Sequence, residues 1–162
     1  MSKLKLIFLA IPLSFIFNVN INAQSTGMLE EVVVTAQKRE ESLQDAPMAI
    51  TAITESTIDD LDIANVVDLA GMAPNVHIIN TPSNNTAATI AMRGGTTINP
   101  AITWEPTVAM YLDGVYLGKS QGSIFDVVDL ERVEILRGPQ GTLYGRNTLG
   151  GCLLYTSPSP RD

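Results

Sequence analysis

The chain is poor in the residues that build most metal and redox sites. It has one cysteine, Cys152, and one histidine, His77, among 162 residues. An intramolecular disulfide is therefore impossible, and a zinc site needs several thiolate or imidazole ligands. A lone imidazole is more often structural than a metal ligand, and no Ser-His-Asp arrangement surrounds it. We expect no metal, no cofactor and no catalytic residue, which argues against an enzyme.

Positive charge is also scarce. The chain has 10 Lys and Arg against 17 Asp and Glu, a formal net charge of −7. Residues 1–23 hold two of the lysines and no acid, so the remaining chain has 8 basic and 17 acidic side chains, a net charge near −9. Nucleic-acid binding relies on Lys and Arg that neutralise phosphates. This balance therefore argues against a nucleic-acid partner.

The amino terminus has the layout of a cleavable secretory signal. A basic start precedes a mostly apolar run from Leu6 to Phe17, and the small residue Ala23 follows. The alternative is a membrane anchor, but a spanning helix needs about 20 apolar residues. Three asparagines follow the run too closely for that length. We predict export and removal of residues 1–23.

Residues 24–45 are predicted to be a flexible segment that precedes the folded domain. At its centre lies a β-prone hexapeptide, and a charged connector follows at 38–45. The hexapeptide consists of Glu31, Val32, Val33, Val34, Thr35 and Ala36. Such a peptide suits donation of a strand to another protein's sheet. An ordinary first strand of the domain is the alternative, and both interpretations stay open.

Residues 46–151 alternate short strands with short helices. The predicted strands are 48–53, 75–80, 87–93, 107–112, 115–117 and 132–136. Predicted helices are capped by Thr54 or Ser56, by Asn65, and by Ser123, with the third ending near Val128. Asp113-Gly114 predicts a tight hairpin, because both central residues of a type I′ turn need positive φ. We therefore predict an α+β domain with a small mixed β-sheet.

The run 130–147, LERVEILRGPQGTLYGRN, joins a strand to closely spaced glycines and arginines. It resembles the closing signature of the plug domain in TonB-dependent outer-membrane receptors. A secretory signal, the hexapeptide and the strand-hairpin run 106–118 occur in the order that this family requires. The resemblance covers roughly residues 30–151. A phosphate-binding loop would instead end in Gly-Lys-Ser or Gly-Lys-Thr, which the chain lacks.

The resemblance implies that residues 30–36 are a TonB box, which the periplasmic domain of TonB binds. It also implies a cell outer membrane location, with the plug inside its own barrel, which this chain is too short to encode. The complete receptor would import a scarce nutrient such as a ferric siderophore, cobalamin or a glycan. A free-standing periplasmic binding or adaptor domain with a plug-like fold is the alternative.

The resemblance also suggests roles for individual side chains. Arg93, Arg137 and Arg146 would pair with carboxylates of the barrel wall. They could equally pair with the domain's own carboxylates, Glu131, Glu134 or Asp129, and the two possibilities are compatible. Loops 81–86 and 96–105 would face the substrate, the second offering Trp104 as a stacking surface. Plain connecting loops are the alternative.

Residues 152–162 depart from the family, which continues here with an apolar strand that leads into the barrel. Pro158 and Pro160 are incompatible with a central strand. We therefore interpret 152–162 as a non-family tail that arose from an assembly, cloning or reading-frame artefact, and expect the plug to end at Gly151.

Overall fold

The structure is a computed structural model, and it describes residues 31–81, 84–97, 103–127 and 130–158. The predicted signal at 1–23, the first residue of the predicted TonB box and Asp129 lie outside these ranges. Within them, no helix has the length and apolar character needed to cross a bilayer.

Ten strands and three short helical segments make up the described chain. In chain order they are β1 (Val33–Val34), β2 (Glu41–Ser42), β3 (Ile50–Thr54), α1 (Glu55–Asp60), a 3-10 helix (Val66–Leu69), β4 (Val76–Thr81), β5 (Asn84–Met92), β6 (Gly95–Thr96), β7 (Val108–Leu112), β8 (Val115–Leu117), β9 (Arg132–Arg137), α2 (Gly141–Tyr144) and β10 (Gly151–Thr156).

The strands form three sheets. The largest has the order β3-β9-β10-β7-β8, the second has the order β4-β5-β6, and β1 pairs only with β2. The large sheet is mixed, since β10 runs antiparallel to β9 and parallel to β7. Cys152 at its centre lies between Leu136 and Ala109. The predicted α+β class with a small mixed sheet is confirmed.

One face of the large sheet carries the main hydrophobic core. Strand alternation places Ile53, Val133, Ile135, Leu153 and Tyr155 on this face. α1, the 3-10 helix and strands β4 and β5 cover it with further apolar side chains, among them Ile58, Val66, Leu69, Val76, Ile78 and Ile90. The ring of Phe125 meets that of Tyr155 edge-on, with centroids 4.9 Å apart. We call this surface the first face.

Two of the three predicted helices form. α1 begins after Thr54, and the 3-10 helix begins after Asn65, whose side chain accepts a hydrogen bond from the Val67 amide. The helix predicted after Ser123 is wrong, because the chain there is irregular. The Ser123 hydroxyl is buried and accepts a hydrogen bond from the Ala88 amide at 2.8 Å. It therefore caps nothing and ties its loop to β5 instead.

The predicted hairpin is confirmed. β7 and β8 are joined by Asp113 and Gly114, both with positive φ, at 49° and 80°. The Asp113 carboxylate also accepts hydrogen bonds from the amide and the hydroxyl of Ser157. The loop predicted at 81–86 is shorter than expected, because β4 extends to Thr81 and β5 begins at Asn84.

The fold continues past Gly151, the predicted end of the domain. Residues 152–156 belong to β10, the central strand of the large sheet, and 152–155 are buried. Pro158 and Pro160 follow the end of the strand in the sequence and so do not interrupt it. Residues 152–156 are apolar, aromatic or β-branched and fill this central strand, so they are not a detached tail.

Glycine is required where β10 begins. A Cβ atom on Gly151, at φ 144°, would overlap the Leu136 carbonyl oxygen and the Met92 sulfur. A Cβ atom on Gly150 would lie 3.0 Å from the Met92 carbonyl oxygen. The end of β5, the end of β9 and the start of β10 therefore meet backbone to backbone.

Candidate functional site

The second face of the large sheet has a thinner cover. A small cluster joins Ala36 to Ala109, Leu136, Cys152 and Leu154. The side chain of Tyr144, at the end of α2, packs beside it. The cover therefore includes residues 31–45, which we call the lead segment.

Two residues of the hexapeptide belong to the core, which differs from the flexible segment predicted for residues 24–45. Val34 and Ala36 are fully buried. The alternating pattern explains this, since Val33 points outward and is 39% exposed. The lead segment is docked on the domain and does not belong to the large sheet.

The backbone of the lead segment bonds mainly to itself. Val33 and Val34 lie opposite Ser42 and Glu41 in a two-residue antiparallel pair. The Val32 carbonyl accepts a hydrogen bond from the Leu43 amide at 2.9 Å, and the Thr35 carbonyl accepts one from the Lys38 amide at 2.8 Å. No strand of the large sheet depends on these bonds.

Glu134 connects the lead segment to the sheet. Its Oε1 atom accepts hydrogen bonds from the Thr35 amide at 2.8 Å, from the Thr35 hydroxyl at 3.0 Å and from Arg132 Nε at 2.8 Å. The Glu134 side chain is fully buried, and its Oε2 atom has no hydrogen-bond partner. Arg132 also pairs with the half-exposed Glu131 at 3.3 Å. A buried carboxylate is thus compensated by one arginine and by the lead segment.

Tyrosines make a second connection. The Tyr144 hydroxyl donates to the Ala36 carbonyl at 2.9 Å, and the Tyr111 hydroxyl donates to the Tyr144 carbonyl at 2.5 Å. Burial raises the pKa of both phenols, and the nearby Cys152 sulfur raises it further. Both therefore remain protonated hydrogen-bond donors at neutral pH. Burial likewise raises the pKa of the Cys152 thiol to about 12, so this thiol is not an activated nucleophile.

A groove of about 510 Å³ lies beside the docked segment. Its lining includes Tyr111 and Tyr144, together with the charged residues Lys38, Arg39 and Glu40. The Lys38 ammonium lies 5.6 Å from the centre of the Tyr144 ring. The groove offers aromatic and ionic contacts and no reactive group.

The three arginines singled out in the sequence have different surroundings. Arg146 pairs with Glu105 at 2.9 Å, and its side chain is 75% exposed. Within the described residues, Arg93 and Arg137 form no ion pair. The guanidinium of Arg93 lies against Gly138, and Arg137 Nε is buried without a hydrogen-bond partner.

The alternative pairing of these arginines with Glu131 or Glu134 is wrong for the described residues. Both carboxylates pair with Arg132, which the sequence reasoning did not single out. The sequence held a signal for Glu134, since it is the one charge between the apolar residues Val133 and Ile135. The lead segment gave no sign that it would cover this position.

The remaining candidates lie apart from the docked segment. Trp104 is 59% exposed in the loop before β7. The hydroxyl of Thr97 accepts from the Thr107 amide and donates to the Glu105 carbonyl, which ties the two ends of the 96–105 loop together. His77 is exposed on β4 and belongs to no cluster of three or more potential metal ligands in the described chain.

Comparisons with known proteins agree with this fold. The family model described as TonB-dependent Receptor Plug Domain matches residues 42–152. The pesticin receptor of Yersinia pestis is 32% identical over 141 residues, which are 86% of this chain and 20% of the relative. The vitamin B12 transporter BtuB of Vibrio vulnificus strain CMCP6 is 26% identical over 137 residues, 82% of this chain and 21% of the relative.

A solved structure is also similar. The ferric yersiniabactin uptake receptor FyuA from Yersinia pestis has 31% sequence identity and a TM-score of 0.61. The match covers 70% of this chain and 17% of that structure. The chain therefore spans about a fifth of the length of the curated relatives that it matches.

Proposed function

Because the chain belongs to the family of TonB-dependent receptor plug domains, we propose that it forms the plug and the TonB-binding segment of a receptor that imports a scarce nutrient across the outer membrane. The receptor sits in the outer membrane, and its lead segment faces the periplasm. Residues 31–36 bind the periplasmic domain of TonB by strand addition. The nutrient is of the class of ferric siderophores, cobalamin or glycans.

One observation carries this proposal: the hexapeptide 31–36 lies shortly before the residues 42–152 that match the family model, and the lead segment that contains it is docked outside the large sheet. It can therefore leave without breaking any strand pair of that sheet. The valines and Thr35 favour an extended conformation once released. Strand addition needs an extended backbone with free amides and carbonyls, and it places little demand on particular side chains.

The surroundings of two arginines support the proposal that the domain lies within a barrel. Arg93 is exposed and Arg137 is partly buried, and neither has a carboxylate partner in the described residues. An uncompensated guanidinium favours a planar carboxylate contact, and the barrel wall supplies it in this proposal. Arg146, by contrast, already has Glu105. The exposed Trp104 belongs to a loop that faces the nutrient.

The test is binding of the purified chain to the periplasmic domain of TonB, measured by calorimetry. Val33→Pro removes a backbone amide at the centre of the hexapeptide. We expect it to weaken binding at least about tenfold, because strand addition loses a hydrogen bond and the required conformation. The matched control Val33→Thr keeps the amide and the β-branched shape, and should bind like the original chain. Equal affinity of the proline variant would rule out strand addition.

A further inference from the structure

Burying the Glu134 carboxylate on the second face of the large sheet is energetically unfavourable. Removing a carboxylate from water is strongly unfavourable unless charged and hydrogen-bonding partners compensate. Arg132 supplies the charge, and Thr35 supplies two of the three hydrogen bonds that Oε1 accepts. Oε2 remains without a partner. The docked lead segment thus supplies two of the hydrogen bonds that stabilise a buried carboxylate.

The same contacts prevent the lead segment from pairing with a strand of a partner protein. Strand addition uses backbone amides and carbonyls along one edge of the peptide. Glu134 occupies the Thr35 amide, while Lys38 and Leu43 occupy the carbonyls of Thr35 and Val32. β2 pairs with Val33 and Val34. The docked hexapeptide therefore has no complete edge to offer.

We propose that Glu134, oriented by Arg132, is the positioning residue that holds the lead segment on the second face and so keeps it closed to strand addition. The identity of the incoming strand rests on the proposed function. The docking role does not, since it concerns only contacts within this chain. Release separates Thr35 from Glu134 and Ala36 from Tyr144, and the partner then gains the freed backbone.

Release has a native reporter. Cys152 is fully buried in the cluster that includes Ala36. Departure of the lead segment removes part of its cover, so the thiol becomes open to a maleimide. Labelling of Cys152 therefore measures the opening of the second face without any partner protein.

The experiment compares the labelling rate of Cys152 in the original chain and in Glu134→Gln. Glutamine keeps the shape but removes the charge that strengthens the bonds to Thr35 and Arg132. We expect labelling to rise on the order of tenfold, as for the loss of a charge-assisted hydrogen bond. The matched control is Glu131→Gln, which also loses a contact with Arg132 but touches no lead-segment residue. Its rate should stay within about twofold. An unchanged rate in Glu134→Gln overturns the proposal.

A second cysteine separates local release from general loosening. Leu153→Cys in a Cys152→Ala background places the thiol on the first face, one residue away. Position 153 should label far more slowly than position 152 both with Glu134 and after Glu134→Gln, because the lead segment does not cover that face and its thiol is reached only by global unfolding. If both positions label at the same rate, Cys152 too is reached only by global unfolding and the proposal is wrong.

Binding to the periplasmic domain of TonB completes the test. Glu134→Gln should bind several-fold more tightly, because a larger fraction of the chain is released. Faster labelling without tighter binding would show that docking does not close the segment. If Val33→Pro binds as well as the original chain, strand addition itself is wrong, while the labelling result still decides the docking role of Glu134.

Discussion

The two faces of the large sheet differ in how they are covered. The first face meets α1, the 3-10 helix and strands β4 and β5, and its apolar side chains form one continuous core. The second face meets the lead segment and Tyr144, and its core is a small cluster around Cys152. Adjacent residues of one strand, Leu153 and Leu154, therefore lie in very different surroundings.

The difference separates stability from movement. A large core resists opening, whereas a short segment held by a few hydrogen bonds opens at a lower free energy. Glu134 and Tyr144 bond to the lead segment on the second face. The domain can thus keep its fold while one side of its central sheet is uncovered.

The largest loss of stability is expected from a substitution at Gly151, which disturbs the packing on both faces of the large sheet. Gly151→Ala places a methyl group where the Leu136 carbonyl and the Met92 sulfur already lie. Because the obstruction includes backbone and φ is 144°, we expect a loss of more than about 4 kcal/mol in the free energy of unfolding. Urea denaturation followed by circular dichroism measures it. Gly71→Ala is the control, since Gly71 also has positive φ but open space around it; a similar loss there would mean that strain alone is responsible.

Truncation of two neighbouring leucines should distinguish the packing of the two faces. Leu153→Ala leaves a cavity in the first face, and we expect it to lower the free energy of unfolding by about 3 to 4 kcal/mol. Leu154→Ala should cost about 2 kcal/mol, because the thin cover of the second face can settle into the space. Chemical denaturation of the two variants provides the measurement. Equal losses would show that the faces are packed alike.

Part of the loss of stability at alkaline pH should arise on the second face, from ionisation of Cys152. The pKa of Cys152 is raised from its ordinary 9.0 to about 12, so the folded state favours the neutral thiol. The stability that this thiol contributes is complete below pH 9 and is lost as the pH rises from 9 towards 12, by at most about 1.4 kcal/mol per pH unit. Cys152→Ala should flatten this fall in denaturation curves measured between pH 8 and 11. Curves of equal slope would contradict the assignment.

The smallest effect is expected outside both faces. Arg146 and Glu105 form an exposed ion pair, and such pairs contribute little because water and salt screen them. Arg146→Gln should change the free energy of unfolding of this chain by less than about 0.5 kcal/mol. Thermal denaturation at low and high salt tests this prediction. A large loss of stability at low salt that disappears at high salt would show that the ion pair contributes more than expected.

The sequence was sufficient for features that depend on local chemistry. The Asp113-Gly114 hairpin, the strand at 132–136 and the cap at Asn65 follow from turn propensity, alternation and side-chain capping, and all are present. Ser123 failed for a nonlocal reason, because its hydroxyl bonds to β5. Capping patterns cannot reveal such a competing partner.

Only part of the candidate site could be predicted from the sequence. The β-prone character of residues 31–36 was evident, but the burial of Ala36 depends on Ala109, Leu136, Cys152 and Leu154, which lie far later in the sequence. The role of Glu134 was hidden for the same reason. Pro158 and Pro160 argue against a central strand at residues 152–162, but the strand ends at Thr156, before either proline.

The position of β10 has a consequence for how the domain is made. β10 joins β9 to β7, so the β3-β9 and β7-β8 pairs remain unconnected until residues 151–156 have been synthesised. A chain is synthesised from its amino terminus, and contacts between distant parts of the sequence form slowly. The two halves of the sheet can therefore join only after the strand between them has been made.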